Sequence, residues 1–420
     1  MMDTDKLKNP AIKVVWLELK SLSVYRGVSA QPVTAALMAI TEAAAQEDPV
    51  RLCDCFGRLC ALLAAANKLE SLPGAVAEEV LADDNAFSAA LSAGKPISEG
   101  LARIALRDLG VLYRAACLRP GELSAGLPAG LAAALPAWGS APAVPPMNGP
   151  WDASLDGLAA YHAAHGCGRF SRHIAFLWRD GELLPVEHPD PIRLSNLKGY
   201  EYQRQIAVDN TLAFLNGFEA NNMLLYGDRG TGKSSTVKAL LNEYASAGLR
   251  MIEMPKEFLR QLPDLTGYLS GLPMKFILFI DDLSFSSGDD NFAALKAVLE
   301  GGLASRPENV ILYATSNRRH LLRESFSDRE GDEVHHADTV QESVSLSDRF
   351  GISLTFLMPD KQRFLDIVEQ MAADRKLKVE REVLLGAAER WALERGARSP
   401  RYARQFIADA QARLSRGESL

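Results

Sequence analysis

Residues 221 to 241 read "NNMLLYGDRGTGKSSTVKALL". Met223, Leu224, Leu225 and Tyr226 form a short apolar run of the kind that becomes a buried strand, and Thr236 to Leu241 continues with helical character. Between them Gly227, Gly232, Lys233 and Ser234 satisfy the spacing G-x-x-x-x-G-K-[ST]. Glycines let the backbone turn sharply, so that several N–H groups along Gly227, Asp228, Arg229, Gly230, Thr231, Gly232, Lys233, Ser234 and Ser235 converge on one small space. That space opens at a helix start, where free N–H donors and the helix dipole favour an anion. Lys233 is placed to neutralise the β- and γ-phosphates, and the Ser234 hydroxyl to bind Mg²⁺. The stretch implies a bound nucleoside triphosphate.

Working outward, alternating strands and helices run from Ile192. "LRMIEM", "KFILFIDDLSF", "NVILYATSN" and "ISLTFLMP" add four apolar runs to "MLLYG", which predicts a mostly parallel five-stranded sheet with helices on both faces. The run ending at Ile280 is followed by Asp281-Asp282. An acidic pair there, some fifty residues after a P-loop, suits the first carboxylate to the Mg²⁺ water shell and the second to orienting an attacking water. Asn317 falls at the end of the next strand, where open α/β sheets gather their ligand chemistry, and its amide can position that water.

Taken together, the P-loop, "FIDD", "TSN", "SLSDRFG" and the helical C-terminal segment resemble the AAA+ ATPases. More closely, "NNMLLYGDRGTGKSSTVKALL", "LFIDDLSF", "ATSNRRHLLRE" and "SLSDRFG" resemble a bacterial AAA+ family known as a domain of unknown function, over roughly residues 157 to 415. The resemblance implies ATP and Mg²⁺ as cofactors and a homo-oligomer. It implies that Arg349 reaches the γ-phosphate of a neighbouring subunit, and that an Arg of the lid, Arg401 or failing that Arg398, reaches the nucleotide of its own chain. It also suggests Leu197, Gly199 and Tyr200 as walls of an adenine pocket. Two features depart from common AAA+ patterns. The acidic pair is Asp-Asp where many members have Asp-Glu, and "EMPKEFLRQ" has Phe258 without the Gly of a polypeptide-threading loop.

Four regions are expected: a helical N-terminal domain at 1–138, a linker and β-hairpin at 139–190, the nucleotide-binding core at 191–358 and a helical lid at 359–420. The first shows helical spacing in Leu52, Phe56, Leu59 and Leu63, and its Cys53, Cys55 and Cys60 read as small apolar core residues. The hairpin is read from Asp180-Gly181 between two apolar runs. His162, His165, His173 and His188 lack metal-ligand spacing. With five cysteines in no paired motif, no signal-peptide pattern and no membrane-length apolar run, a cytoplasmic protein is expected.

A net charge of −7, with 24% charged and 47% hydrophobic residues, gives an ordinary globular balance and no overall basic field for nucleic acid. The segment from Asp328 to Glu342 is strongly acidic, which suits a solvated insertion or a docking site for a basic partner and makes a poor phosphate-backbone binder. An ATPase that remodels or loads a macromolecule is therefore the leading reading. A slow nucleotide-dependent switch and a DNA-associated loader are the alternatives, with nucleic acid less favoured than protein as the partner.

Overall fold

All five apolar runs are strands in the computed structural model, which describes residues 10–285, 290–300, 307–317 and 349–420. The acidic stretch from Asp328 to Glu342 lies outside the described residues. The strands are β3 (Met223–Gly227), β4 (Leu249–Glu253), β5 (Lys275–Ile280), β6 (Val310–Ser316) and β7 (Ile352–Phe356). Upstream, Asp180 and Gly181 both adopt positive φ, the conformation that joins β1 (Ala175–Arg179) to β2 (Glu182–Pro185) as a tight hairpin.

These strands make one sheet in the order β2-β1-β4-β5-β6-β3-β7. Neighbours are parallel throughout except β1 and β2. The expected five-stranded sheet is thus corrected to seven strands. The hairpin lies along β4, Phe176 opposite Ile252, and occupies backbone groups that would otherwise form an open edge. Buried Phe176 and Trp178 hold it there, and the Trp178 indole donates to Gln261 Oε1 at 2.7 Å.

The chain divides into two compact units, Met1–Arg172 and His173–Leu420. Helices build the first. Pro begins several of them, and Asp48, Ser71 and Ser98 accept from backbone N–H groups of the first turn in three. Leu37, Ile40, Phe56, Leu59, Leu63, Leu109 and Leu112 are fully buried in its core. Cys55 and Cys60 are buried there and Cys53 half-buried, all as free thiols. Ala143, Met147, Trp151 and Leu158, from the stretch expected to begin a linker, belong to the same core.

In the second unit β5 and β6 are apolar and almost wholly buried, as a sheet covered on both faces requires. Three helices, Lys361–Asp374, Arg381–Glu394 and Pro400–Ser415, pack around Phe364, Val368, Ala388, Phe406 and Ile407 as a separate small core. Asp360 caps the first and Ser399 the third, each accepting from a backbone N–H. β3 lies next to the edge strand β7, and because it runs parallel between β6 and β7 its C-terminal end emerges beside the ends of those two strands.

Candidate functional site

The loop leaving β3 is shaped by close approach. Gly227 has φ 129°, and a Cβ there would collide with the carbonyl of Phe356 at the end of β7. The Asp228 N–H donates to that carbonyl at 2.9 Å, while the Asp228 carboxylate accepts from the Met358 N–H at 2.5 Å. Gly230, at φ 78°, sits beneath the third lid helix: the Arg401 N–H donates to its carbonyl at 3.2 Å, and an added Cβ would lie 3.0 Å from Ser399 Oγ. After Gly232 the chain enters the helix Lys233–Tyr244, so the loop closes over a helix N-terminus.

Lys233 folds back under this loop and is 6% exposed. Its ammonium donates to the carbonyls of Gly227 (2.9 Å) and Asp228 (2.8 Å) and to Asn317 Oδ1 (3.2 Å). Burial pushes its pKa down from the ordinary lysine value, against the opposing pull of Asp228, Asp282 and Asp281. The Asn317 amide donates in turn to Asp282 Oδ1 at 2.5 Å. Lys233, Asn317 and Asp282 therefore form one continuous row.

Beside that row, Asp281 Oδ1 accepts from Ser234 Oγ (2.6 Å), Thr315 Oγ1 (2.5 Å) and the Asp282 N–H (3.2 Å). The Asp282 N–H also reaches Thr315 Oγ1 at 3.0 Å, and Asp282 has a positive φ of 51°. A hydroxyl and a carboxylate oxygen in contact are the hard oxygen donors that Mg²⁺ prefers, so the pair Ser234 and Asp281 fits the ion.

A cleft of about 650 Å³ opens over these groups. Its walls include Arg229 and Ser235 of the loop, Tyr200 and Leu197 of the segment entering the core, and Arg401 and Arg404 of the lid. Leu197 and Tyr200, two of the residues named for an adenine wall, line this cleft. Gly199 lines a neighbouring cleft instead, its backbone turned toward Ile367. Burial pushes the Tyr200 phenol up to about 12, with Asp228 adding to the shift. Arg398 is not among the residues lining the cleft. Nor is Arg349, which precedes β7 at the end of the sheet away from the loop.

One residue had escaped the sequence reading. Thr315 lies in β6 two positions before Asn317, which follows the strand's last residue, Ser316, so the period of two that runs along the strand was the signal that could have found it. Arg404 follows Arg401 by one helical turn, the spacing that places two side chains on one face.

A P-loop after an inner parallel strand, an asparagine after the adjacent strand β6, an acidic pair after β5 beyond it and a helical lid define the chain as a P-loop α/β protein of the AAA+ fold. It belongs to the family described as "Protein of unknown function (DUF815)", which matches residues 171–414. Among solved structures it is similar to a RuvB variant of Thermotoga maritima, at 18% identity and a TM-score of 0.39, covering 54% of this chain and 67% of that one. It is also similar to a Thermotoga maritima structure described as the RuvB Holliday junction branch migration motor, at 18% identity and a TM-score of 0.37, covering 54% and 66%. No curated protein matches the chain in sequence. Among the described residues no helix is long and apolar enough to cross a membrane.

Proposed function

We propose that this protein binds ATP with Mg²⁺ and hydrolyses it, using the cycle to act on a macromolecular partner, with protein favoured over nucleic acid. The observation that carries this reading is the row Lys233–Asn317–Asp282, side by side with the Ser234–Asp281 pair at the mouth of the P-loop. Backbone N–H groups from Gly227 to Ser235 cradle the phosphates, and Lys233 exchanges its carbonyl partners for phosphate oxygens. Ser234 and Asp281 hold Mg²⁺, which neutralises charge on the terminal phosphates when bound. Asp282 and Asn317 orient the attacking water. Arg401 approaches from the lid of the same chain, and Arg349 from a neighbouring copy in a homo-oligomer. Fixed guanidinium groups stabilise charge spreading over the transferred phosphoryl group without having to reorganise.

Two substitutions separate binding from turnover. Lys233→Ala removes a charged, desolvated phosphate contact and should cost roughly 2–4 kcal/mol of ATP affinity. Asp282→Asn should keep affinity near wild type while hydrolysis falls by about tenfold or more. Titration calorimetry and phosphate release measure the two; unchanged affinity in Lys233→Ala, or equal losses of binding and turnover in Asp282→Asn, would overturn the roles given to these residues.

A further inference from the structure

Asp228 is a carboxylate in a loop that otherwise offers N–H groups to phosphate. A negative side chain there opposes an anionic ligand unless it is engaged elsewhere. Its partner stands outside the loop: the Asp228 carboxylate accepts from the Met358 N–H at 2.5 Å, while the Asp228 N–H donates to the Phe356 carbonyl at 2.9 Å. Leu357, the residue between, is held by the Tyr200 hydroxyl, which donates to its carbonyl at 2.5 Å. These residues carry the chain from β7 to Asp360, the cap of the first lid helix. Of the three bonds, the one to the Asp228 carboxylate has a charged acceptor, and such bonds are about twice as strong as neutral ones.

Two residues further on, the same loop holds the other end of the lid. The Gly230 carbonyl accepts from the Arg401 N–H at 3.2 Å, and Ser399, which caps the third lid helix, crowds the place a Cβ on Gly230 would take. The three lid helices share one core around Val368, Ala388 and Ile407, so a shift at the entry to the first helix is carried to the start of the third. A further tie, Lys198 Nζ to Asp374 Oδ2 at 2.7 Å, ends in a carboxylate half open to water and contributes little. The P-loop itself therefore sets where the lid sits.

We propose that Asp228 is a positioning residue that latches the lid to the P-loop and acts on turnover through Arg401. The inference rests on the reading of this cleft as an ATPase site. With the latch made, the third lid helix starts where Arg401 lines the cleft. With it lost, the lid shifts at Met358, and the Arg401 guanidinium no longer stands fixed against the phosphoryl group being transferred.

Phosphate release by the full-length protein, followed across ATP concentrations, tests this. Asp228→Ala should lower kcat by about fivefold or more without raising KM, since it takes away no phosphate contact. Asp228 is half-buried, so its truncation opens no core cavity. Asp228→Asn keeps an oxygen that accepts from the Met358 N–H and should recover most of the lost rate. Amide hydrogen exchange across residues 356–361, measured without nucleotide, should be faster in Asp228→Ala and close to wild type in Asp228→Asn. Adding Asp228→Ala to Arg401→Ala should cost no further turnover, because the residue it positions is already gone. A wild-type rate in Arg401→Ala would remove the role proposed for that arginine and this inference with it. A lowered rate in Arg401→Ala, joined to a wild-type kcat in Asp228→Ala or to losses that multiply in the double variant, would overturn this inference alone.

Discussion

Thr315 carries no charge, yet its hydroxyl ties the acidic pair together: it donates to the Asp281 carboxylate and accepts from the backbone N–H of Asp282. At 2% exposure it cannot be replaced by water without rearrangement. Thr315→Val keeps the shape and removes the hydroxyl, which should weaken the Mg²⁺-dependent part of ATP binding by about 1–2 kcal/mol. ATP titrations across a Mg²⁺ series measure this, and an unchanged Mg²⁺ dependence would contradict the positioning role. Lys233 supports a pH test. Burial is the main cause of its lowered pKa, and phosphate needs the protonated form. Affinity for ATP should therefore be full where Lys233 is charged and should be lost as pH rises through the lowered value, beginning below 10.5. Bound phosphate pulls the pKa back up, so binding in that range takes up protons. Calorimetry in buffers of different ionisation enthalpy reads the uptake; the same pH dependence in Lys233→Ala would place the titration elsewhere. Lys233, Asp281 and Asp282 were legible because each sits in a spaced motif, Arg401 only through the family resemblance. Thr315 was not, because a threonine in a strand is also an ordinary β-former.

At the level of elements, the hairpin shows where sequence patterning stops. Asp180-Gly181 specifies the turn locally, but the pairing of Phe176 with Ile252 joins segments far apart in the chain and leaves no local mark. Its anchor is Trp178, at 7% exposure and bonded to Gln261. Trp178→Ala should destabilise the second unit by about 3–5 kcal/mol. In the sheet β1 lies four strand spacings from β3, roughly 19 Å at ~4.8 Å each, so ATP affinity of the folded variant should be unaffected. Chemical denaturation and an ATP titration check both halves; a variant as stable as wild type, or one folded but unable to bind ATP, would show that the hairpin does something else. The same anchor bears on polypeptide threading. Between β4 and β5, where a threading loop was sought, Leu259, Leu262 and Leu265 are fully buried and Phe258 is half-buried. That segment packs these leucines into the core while Lys256, Glu257 and Arg260 stay exposed.

For the whole molecule, the proposed completion of the site by a neighbouring copy turns on the position of Arg349. β7 runs parallel to β3, and Phe356 at its far end contacts the P-loop. The five residues of β7 span about 13 Å, and Arg349 lies before them. It does not line the nucleotide cleft of its own chain, and the trans role proposed for it was legible only through the resemblance of "SLSDRFG" to AAA+ sequences. The helical unit at the N-terminal side gave the opposite case: its apolar spacing announced helices and core, while no motif in it named a ligand. If sites form between copies, hydrolysis per subunit should rise with protein concentration, and ATP should favour larger assemblies by mass action. The most direct measurement mixes Arg349→Ala protein with Lys233→Ala protein and follows phosphate release. Each is defective alone, but a mixed assembly contains interfaces where an intact Lys233 faces an intact Arg349. Hydrolysis recovered on mixing, above the sum of the two separate proteins, is the result expected; Arg349→Ala protein that hydrolyses ATP at the wild-type rate at every concentration would contradict it.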